Sequence, residues 1–212
     1  MGTQATEQST AARPVSTAAE IARGRRMLVG IASLFFVPLG IAFVLYYSGG
    51  WTPAGRTNHG ELITPARPLG DAPFTLADGT TSARADLLRG KWTLVYIGSG
   101  ACNEACRKAL WAMRQTRQLL AENIDRVQRV FIANGSCCDT EFLGREHVGL
   151  DVVQAIDPAA RDVLAVFPTQ GAAHSIFIVD PLGNLMMQFD SRENPKGLLT
   201  DLEKLLKLSH IG

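Results

Sequence analysis

The hydrophobic pattern divides the chain into stretches of different texture. From Met27 to Tyr47 the sequence MLVGIASLFFVPLGIAFVLYY is apolar and carries no charge. As a helix rising ~1.5 Å per residue it would reach across roughly 30 Å, the hydrocarbon thickness of a bilayer. A signal peptide is the rival reading, but its apolar region runs about 7–15 residues and ends in a small-residue cleavage site. Here the run is longer and YYSGGWTPAG follows it, so residues 27–47 are read as an uncleaved transmembrane helix with Pro38 near its middle. Residues 1–26, rich in Ala, Thr, Ser and Gln before their arginines, read as a disordered tail, and residues 48–67, with Gly, Pro, Thr and Asn, as a linker. Residues 68–212 have the texture of a folded domain.

Within that domain Pro73 to Leu76 (PFTL) predicts a short strand with Asp78-Gly79 as its turn, and Ala85 to Leu88 a single helical turn. Trp92 to Ile97 (WTLVYI) is continuously apolar, β-branched and aromatic, as a buried parallel strand requires. Gly98-Ser99-Gly100 ends it. A helix is predicted from about Asn103 to Asn123, with Ala105, Ala109, Leu110, Met113, Leu119 and Leu120 on its apolar side. Val127 to Ala133 is the next strand. Asp157-Pro158 is a cap followed by proline at the first helical position, opening a helix to about Phe167. His174 to Val179 is a strand, DPLGN over Asp180–Asn184 a turn, Leu185 to Phe189 an antiparallel return, and Leu198 to Leu208 a closing amphipathic helix. Strands alternating with helices predict an α/β layered domain. A CxxxC motif falls where the first long strand hands over to its helix, the arrangement of a thioredoxin-like fold.

Composition adds little except by exclusion. The chain is 46% hydrophobic and 19% charged with a formal net charge of +1, so it lacks the basic excess of a nucleic-acid surface. Arg13, Arg23, Arg25 and Arg26 precede the apolar span, against Arg56 and Arg67 just after it. The positive-inside rule then keeps the N-terminus cytoplasmic, sets Tyr46, Tyr47 and Trp51 at the far interface, and places the domain outside the cytoplasm: a single-pass cell-membrane protein, with a periplasmic domain in a Gram-negative cell. There the four cysteines, Cys102, Cys106, Cys137 and Cys138, can form disulfides or meet metals.

Cys102 and Cys106 permit two chemistries. On a regular helix residues i and i+4 sit roughly 6 Å apart at Cα, near the upper limit for a disulfide, whereas a metal bridging two sulfurs spans that separation easily. A helix N-terminus stabilises thiolate, Arg107 and Lys108 add positive charge, and Glu104 opposes them. Two small buried residues on a core-facing helix is the bland alternative. His174 opens a strand whose preceding loop faces the cysteines in a thioredoxin-like sheet. It would complete a Cys2His set suited to copper and able to serve zinc, or else be a satisfied strand-edge histidine.

The run GKWTLVYIGSGACNEAC, then VQRVFIA, then AAHSIFIVDPLGNLMMQF, resembles the Sco/SenC family over roughly residues 68–208. Those are membrane-anchored, thioredoxin-like copper proteins that help assemble the binuclear copper centre of cytochrome c oxidase. The resemblance implies copper, as Cu(I) or Cu(II), held by Cys102, Cys106 and His174. It also implies as partners the oxidase subunit that carries the copper centre, copper donors or thiol reductants, and the membrane itself. The match is to a divergent member: the family's CPxxCP prolines are absent from SGACNEACRK, and in NGSCCDTEF only Asp139-Thr140 survives of its Asp-Pro-x-x-Asp-Thr-Pro segment.

Two functions follow from these residues. One is a metallochaperone that binds copper through Cys102, Cys106 and His174. The other is a thiol-disulfide oxidoreductase in which Cys102, taken as the more exposed thiol, attacks and Cys106 resolves. Adjacent Cys137 and Cys138 are closer at Cα, ~3.8 Å, than ordinary disulfides accept, and read as free loop thiols, or as exchange partners or a soft ligand for the first pair. Met186-Met187 reads as strand packing, His59 and His210 as solvated, and His147 as an outside candidate in a loop.

Overall fold

The structure, a computed structural model, describes residues 18–48, 57–79, 86–135, 137–209 and 211–212. The chain forms two units, Met1–Gly55 and Arg56–Gly212. What the first unit shows is one helix, α1 (Ala18–Ser48), with no buried residue and Pro38 inside it. It is long and apolar enough to cross a membrane, with a mean hydropathy of 2.5 in its most apolar window. It begins ahead of the apolar run because AAEIARGRR is rich in Ala, Glu and Arg, which lose little on entering a helix. The first part of the expected tail, with Arg13, and Trp51 and Arg56 beyond the helix lie outside the described residues.

The second unit is built on a seven-stranded sheet. Its strands are β1 (Glu61–Pro68), β2 (Thr75–Leu76), β3 (Trp92–Ser99), β4 (Val127–Asn134), β5 (Asp151–Gln154), β6 (Ser175–Val179) and β7 (Asn184–Asp190). Their order across the sheet is β1-β7-β6-β3-β4-β5-β2. β3 runs parallel to β4 and β4 to β5, while β6 is antiparallel to β3 and β7 to β6. Among the described residues, four helices and two 3-10 segments complete this unit: α2 (Glu104–Leu119), α3 (Thr140–Glu146), α4 (Pro158–Val166), α5 (Pro195–Leu208) and the 3-10 segments Ala121–Arg126 and Ala172–His174.

The continuous apolar runs are explained by burial on both faces. In β3, Trp92, Leu94 and Tyr96 join one core with α2 and α5, while Val95 joins a second core with α4. In β6, Ile176 and Ile178 enter the first core, and Phe177 and Val179 the second. A register shift between Ile178 and Val179 lets Leu185 of β7 join the second core although Met187 and Phe189 face the first. The α/β layered fold is therefore the one the alternation predicts.

Differences fall on weakly patterned segments. Glu61–Pro68, read from sequence as the end of a linker, is edge strand β1 paired with β7. Most of its residues are exposed and it carries two prolines, so no apolar alternation marks it. α3 and β5 are also new; each is short and buries little, Leu143 in one and Val153 in the other. α2 is shorter than expected, passing at Leu120 into the 3-10 segment, and leaves Leu119 61% exposed. His174 ends a 3-10 turn instead of opening β6.

A carboxylate ties down the two residues just before β1. Asp201 of α5 is 1% exposed, and its Oδ2 accepts the backbone N–H of both His59 and Gly60 at 2.7 Å. Its Oδ1 lies 3.2 Å from His59 Nδ1 and 3.8 Å from Lys204 Nζ. A Cβ on Gly60 would come within 2.8 Å of Met187 Sδ, so glycine is what lets the chain approach β7. His59 is thus tied down by its backbone while its ring stays half exposed. Replacing Asp201 by Ala should cost about 2–3 kcal/mol, because two buried N–H donors lose a charged acceptor. Denaturant unfolding of the full chain in a neutral detergent measures the loss.

Candidate redox and metal site

β3 is clamped between β4 and β6, so its end at Ser99 is fixed. The chain then needs a tight turn before α2. The N–H of Cys102 donates to Ser99 O at 3.0 Å, and Cys102 takes a left-handed φ of 44°. Asn103 caps α2, its side chain accepting the N–H of Cys106 at 3.1 Å. Cys102 thus stands outside the helix, one residue before the cap. The two Cα atoms are 5.0 Å apart, below regular helical i/i+4 spacing, and the sulfurs are joined as a disulfide. Both cysteines are 1% exposed, so Cys102 is not the more accessible of the two.

Arg107 ties this turn to its surroundings. Its Nε donates to Cys102 O at 3.2 Å, a terminal nitrogen lies 3.6 Å from Asp139, and the guanidinium stacks 3.9 Å above the Phe142 ring. Asp139 N–H donates to Gly100 O at 3.2 Å, and its carboxylate caps α3 through the N–H of Phe142. The sequence offered Arg107 only as a local charge. Two of its partners, Asp139 and Phe142, belong to α3 and its cap, which no periodicity announced.

Cys137 and Cys138 precede that cap. They are half-buried and packed against the core cluster that contains Cys102 and Cys106. The fold therefore puts all four sulfurs at one end of one core.

His174 ends the 3-10 turn that leads into β6. Its turn packs on α2, its N–H donates to Gly171 O at 2.9 Å, and its carbonyl accepts the N–H of Ser191 at 2.7 Å. The neighbouring Ala173 carbonyl accepts the hydroxyl of buried Tyr96 at 3.0 Å, and burial raises the pKa of that phenol. The imidazole is half-buried and lies within electrostatic reach of Asp190, whose carboxyl is held down chiefly by its hydrogen bond to Arg192. Among the described residues, no three His, Cys, Asp or Glu side chains form a group arranged to hold a metal. In this state the two sulfurs are committed to each other, and neither is a free thiolate.

The remaining candidates separate cleanly. Met187 is core and Met186 packs against it, as read from sequence. His210 lies outside the described residues. His147 is not in an open loop: it is 4% exposed, ends α3, and packs edge-on to Phe142 at 5.3 Å.

Residues 92–209 match the family model described as the transmembrane-like, thioredoxin-like, C-terminal domain. Comparison with curated proteins gives no match. Among solved structures, apo Sco1 from Thermus thermophilus aligns at 18% identity over 72% of this chain and 99% of its own, with a TM-score of 0.57. Copper-bound yeast Sco1 aligns at 14% identity over 72% and 95%, TM-score 0.54. Copper-bound ScoI from Bradyrhizobium japonicum aligns at 20% identity over 65% and 98%, TM-score 0.50. The fold is thioredoxin-like and is shared with these Sco proteins.

His147 sets an acid limit on this end of the domain. Burial first, then Arg114 and Arg129, lower its pKa from 6.5 to about 4. Unfolded, the imidazole takes a proton near pH 6.5; folded, it refuses one until about pH 4. Its share of stability is thus complete above pH 6.5 and drains away as pH falls toward 4, by about 2–3 kcal/mol. Denaturation midpoints between pH 7 and pH 4.5 should show this slope in the wild type and a flatter one in His147→Gln.

Proposed function

The chain belongs to the family of transmembrane-like, thioredoxin-like C-terminal domains, and from that premise we propose that it is a membrane-anchored, divergent Sco-like protein that carries copper for cytochrome c oxidase assembly. The observation that carries this reading is the Cys102–Cys106 pair at the β3–α2 handover of a fold shared with copper-bound Sco structures. α1 is the proposed anchor, with its arginines on the cytoplasmic side and the sheet domain outside the cytoplasm.

In this reading the disulfide is the closed form. Two electrons and two protons from an external dithiol open it to two thiols. Cys106, in the first turn of α2, and Cys102, just before its cap, then meet the positive end of the helix and nearby Arg107, both of which favour thiolate. Two soft thiolates with the His174 imidazole form a donor set suited to copper as cargo. The residues present fit the ion in type; His174 joins the sulfurs only once they are released from each other. The recipient is the oxidase subunit that carries the copper centre.

A second reading rests on the disulfide itself: an oxidoreductase that exchanges it with cysteines of a membrane or periplasmic partner. Balance requires only the partner's dithiol or disulfide.

Copper titration of the reduced full chain in neutral detergent, against a competing Cu(I) chelator, decides between them. The chaperone reading expects about one copper per chain, loss of binding in Cys102→Ser and Cys106→Ser, and affinity about tenfold or more weaker in His174→Ala. Thiol exchange with a model disulfide that survives His174→Ala, without copper binding in the wild type, would leave only the oxidoreductase.

A further inference from the structure

A polar cavity lies between α2, β4 and α3, and the cysteine chemistry makes no use of it. Its volume is about 220 Å³, and its walls include Arg114 and Arg117 of α2, Arg129 of β4, and Arg145 and Glu146 of α3. Four guanidinium groups converge there from three elements.

Arg129 is the anomaly among them. It occupies a central strand opposite Leu94, on the same face as Val127 and Phe131, and is 3% exposed. One of its nitrogens, Nη2, donates to Val148 O at 2.7 Å. Its Nε and Nη1 are buried with no hydrogen-bond partner in the protein, and so is Nε of Arg114. Burial, with Arg117 and Arg114 close by, pulls the Arg129 pKa down to about 10, with Asp151 acting the other way. Each buried donor left unmet costs about 1–3 kcal/mol.

The other charges are partly spoken for. Glu146 lies 3.8 Å from Arg114 and 3.1 Å from Arg145, and its backbone carbonyl accepts from Arg114 Nη1. Arg145 also reaches Glu141 at 3.7 Å, and Arg117 Nε donates to Val127 O at 2.7 Å. These bonds hold the guanidinium groups in place around the cavity, while Nε and Nη1 of Arg129 and Nε of Arg114 are sealed beneath its surface without an acceptor.

We propose that this cavity binds a phosphate-type oxyanion, as free phosphate, a phosphomonoester or the phosphate of a lipid headgroup. A compact dianion with several acceptor oxygens can meet donors arriving from a strand and two helices at once, whereas a carboxylate presents two oxygens on one edge. The mutual repulsion of the arginines would then be offset by the ligand's charge, which acts on buried Arg129 as well as on the arginines at the rim.

The test uses the full chain in neutral detergent, titrated with inorganic phosphate and with chloride at equal ionic strength, and read by the thermal unfolding midpoint. Phosphate should raise the midpoint saturably, and chloride should not. Arg129→Met, which removes a desolvated cation but keeps its bulk, should fold at least as stably as the wild type without phosphate and weaken the response about tenfold or more. Arg145→Gln, at a largely exposed position, and Arg114→Gln should weaken it in the same direction, and they decide the matter if Arg129→Met does not fold. Chain reconstituted in phosphatidic acid nanodiscs, compared with phosphatidylcholine, separates the sources. Loss of the response to free phosphate only in phosphatidic acid assigns the lipid, and an equal response in both assigns the soluble ion. Matching chloride and phosphate curves, or a response unchanged in the arginine variants, would overturn the site.

Discussion

The four residues between β3 and α2 are the constraint on which the candidate chemistry depends. β3 cannot shift, because it is paired on both sides and buried on both faces. α2 must start at once if its apolar side is to cover the sheet. Cys102 closes that gap in a left-handed conformation, at a cost of about 1–2 kcal/mol. The Asn103 cap, the Arg107 bond to Cys102 O and the Asp139 bond to Gly100 O offset it. The same turn that strains the backbone draws Cys102 toward Cys106, closer than a regular helix would bring it.

Legibility tracked the strength of the burial signal. WTLVYI, VQRVFIA and HSIFIV were readable because strands buried on both faces must be apolar throughout. The caps at Asp157 and the turn at DPLGN were readable because their chemistry is local: Asp157 accepts from Ala159 N–H, and Asp180 from Leu182 and Asn184 N–H. β1, α3 and β5 were not. Each buries one side chain or none, and each is held by partners distant in sequence, as Asp201 holds the residues before β1.

The candidate site was half legible for the same reason. CxxxC announces itself, but its access does not: spacing suggested an exposed leading thiol, while the fold covers both sulfurs equally. Arg129 was hidden in a different way. It lies within the predicted strand VQRVFIA, and only the packing of α2 and α3 over that face makes it a buried cation.

One helix serves both polar regions, with its ends used in opposite senses. Cys106 sits in the first turn of α2, where free N–H groups favour a thiolate; Arg117 sits in its last turn, where the carbonyl end favours a cation. Arg114 stands about 12 Å further along the axis than Cys106. The negative end of a helix repels anions, so an anion site there has to be made by side chains alone, and four arginines from three elements supply it. The thiols need no such cluster, because the backbone of α2 already presents its positive end to them. That asymmetry explains why so few charges surround the cysteines and so many gather at the far end of the same helix.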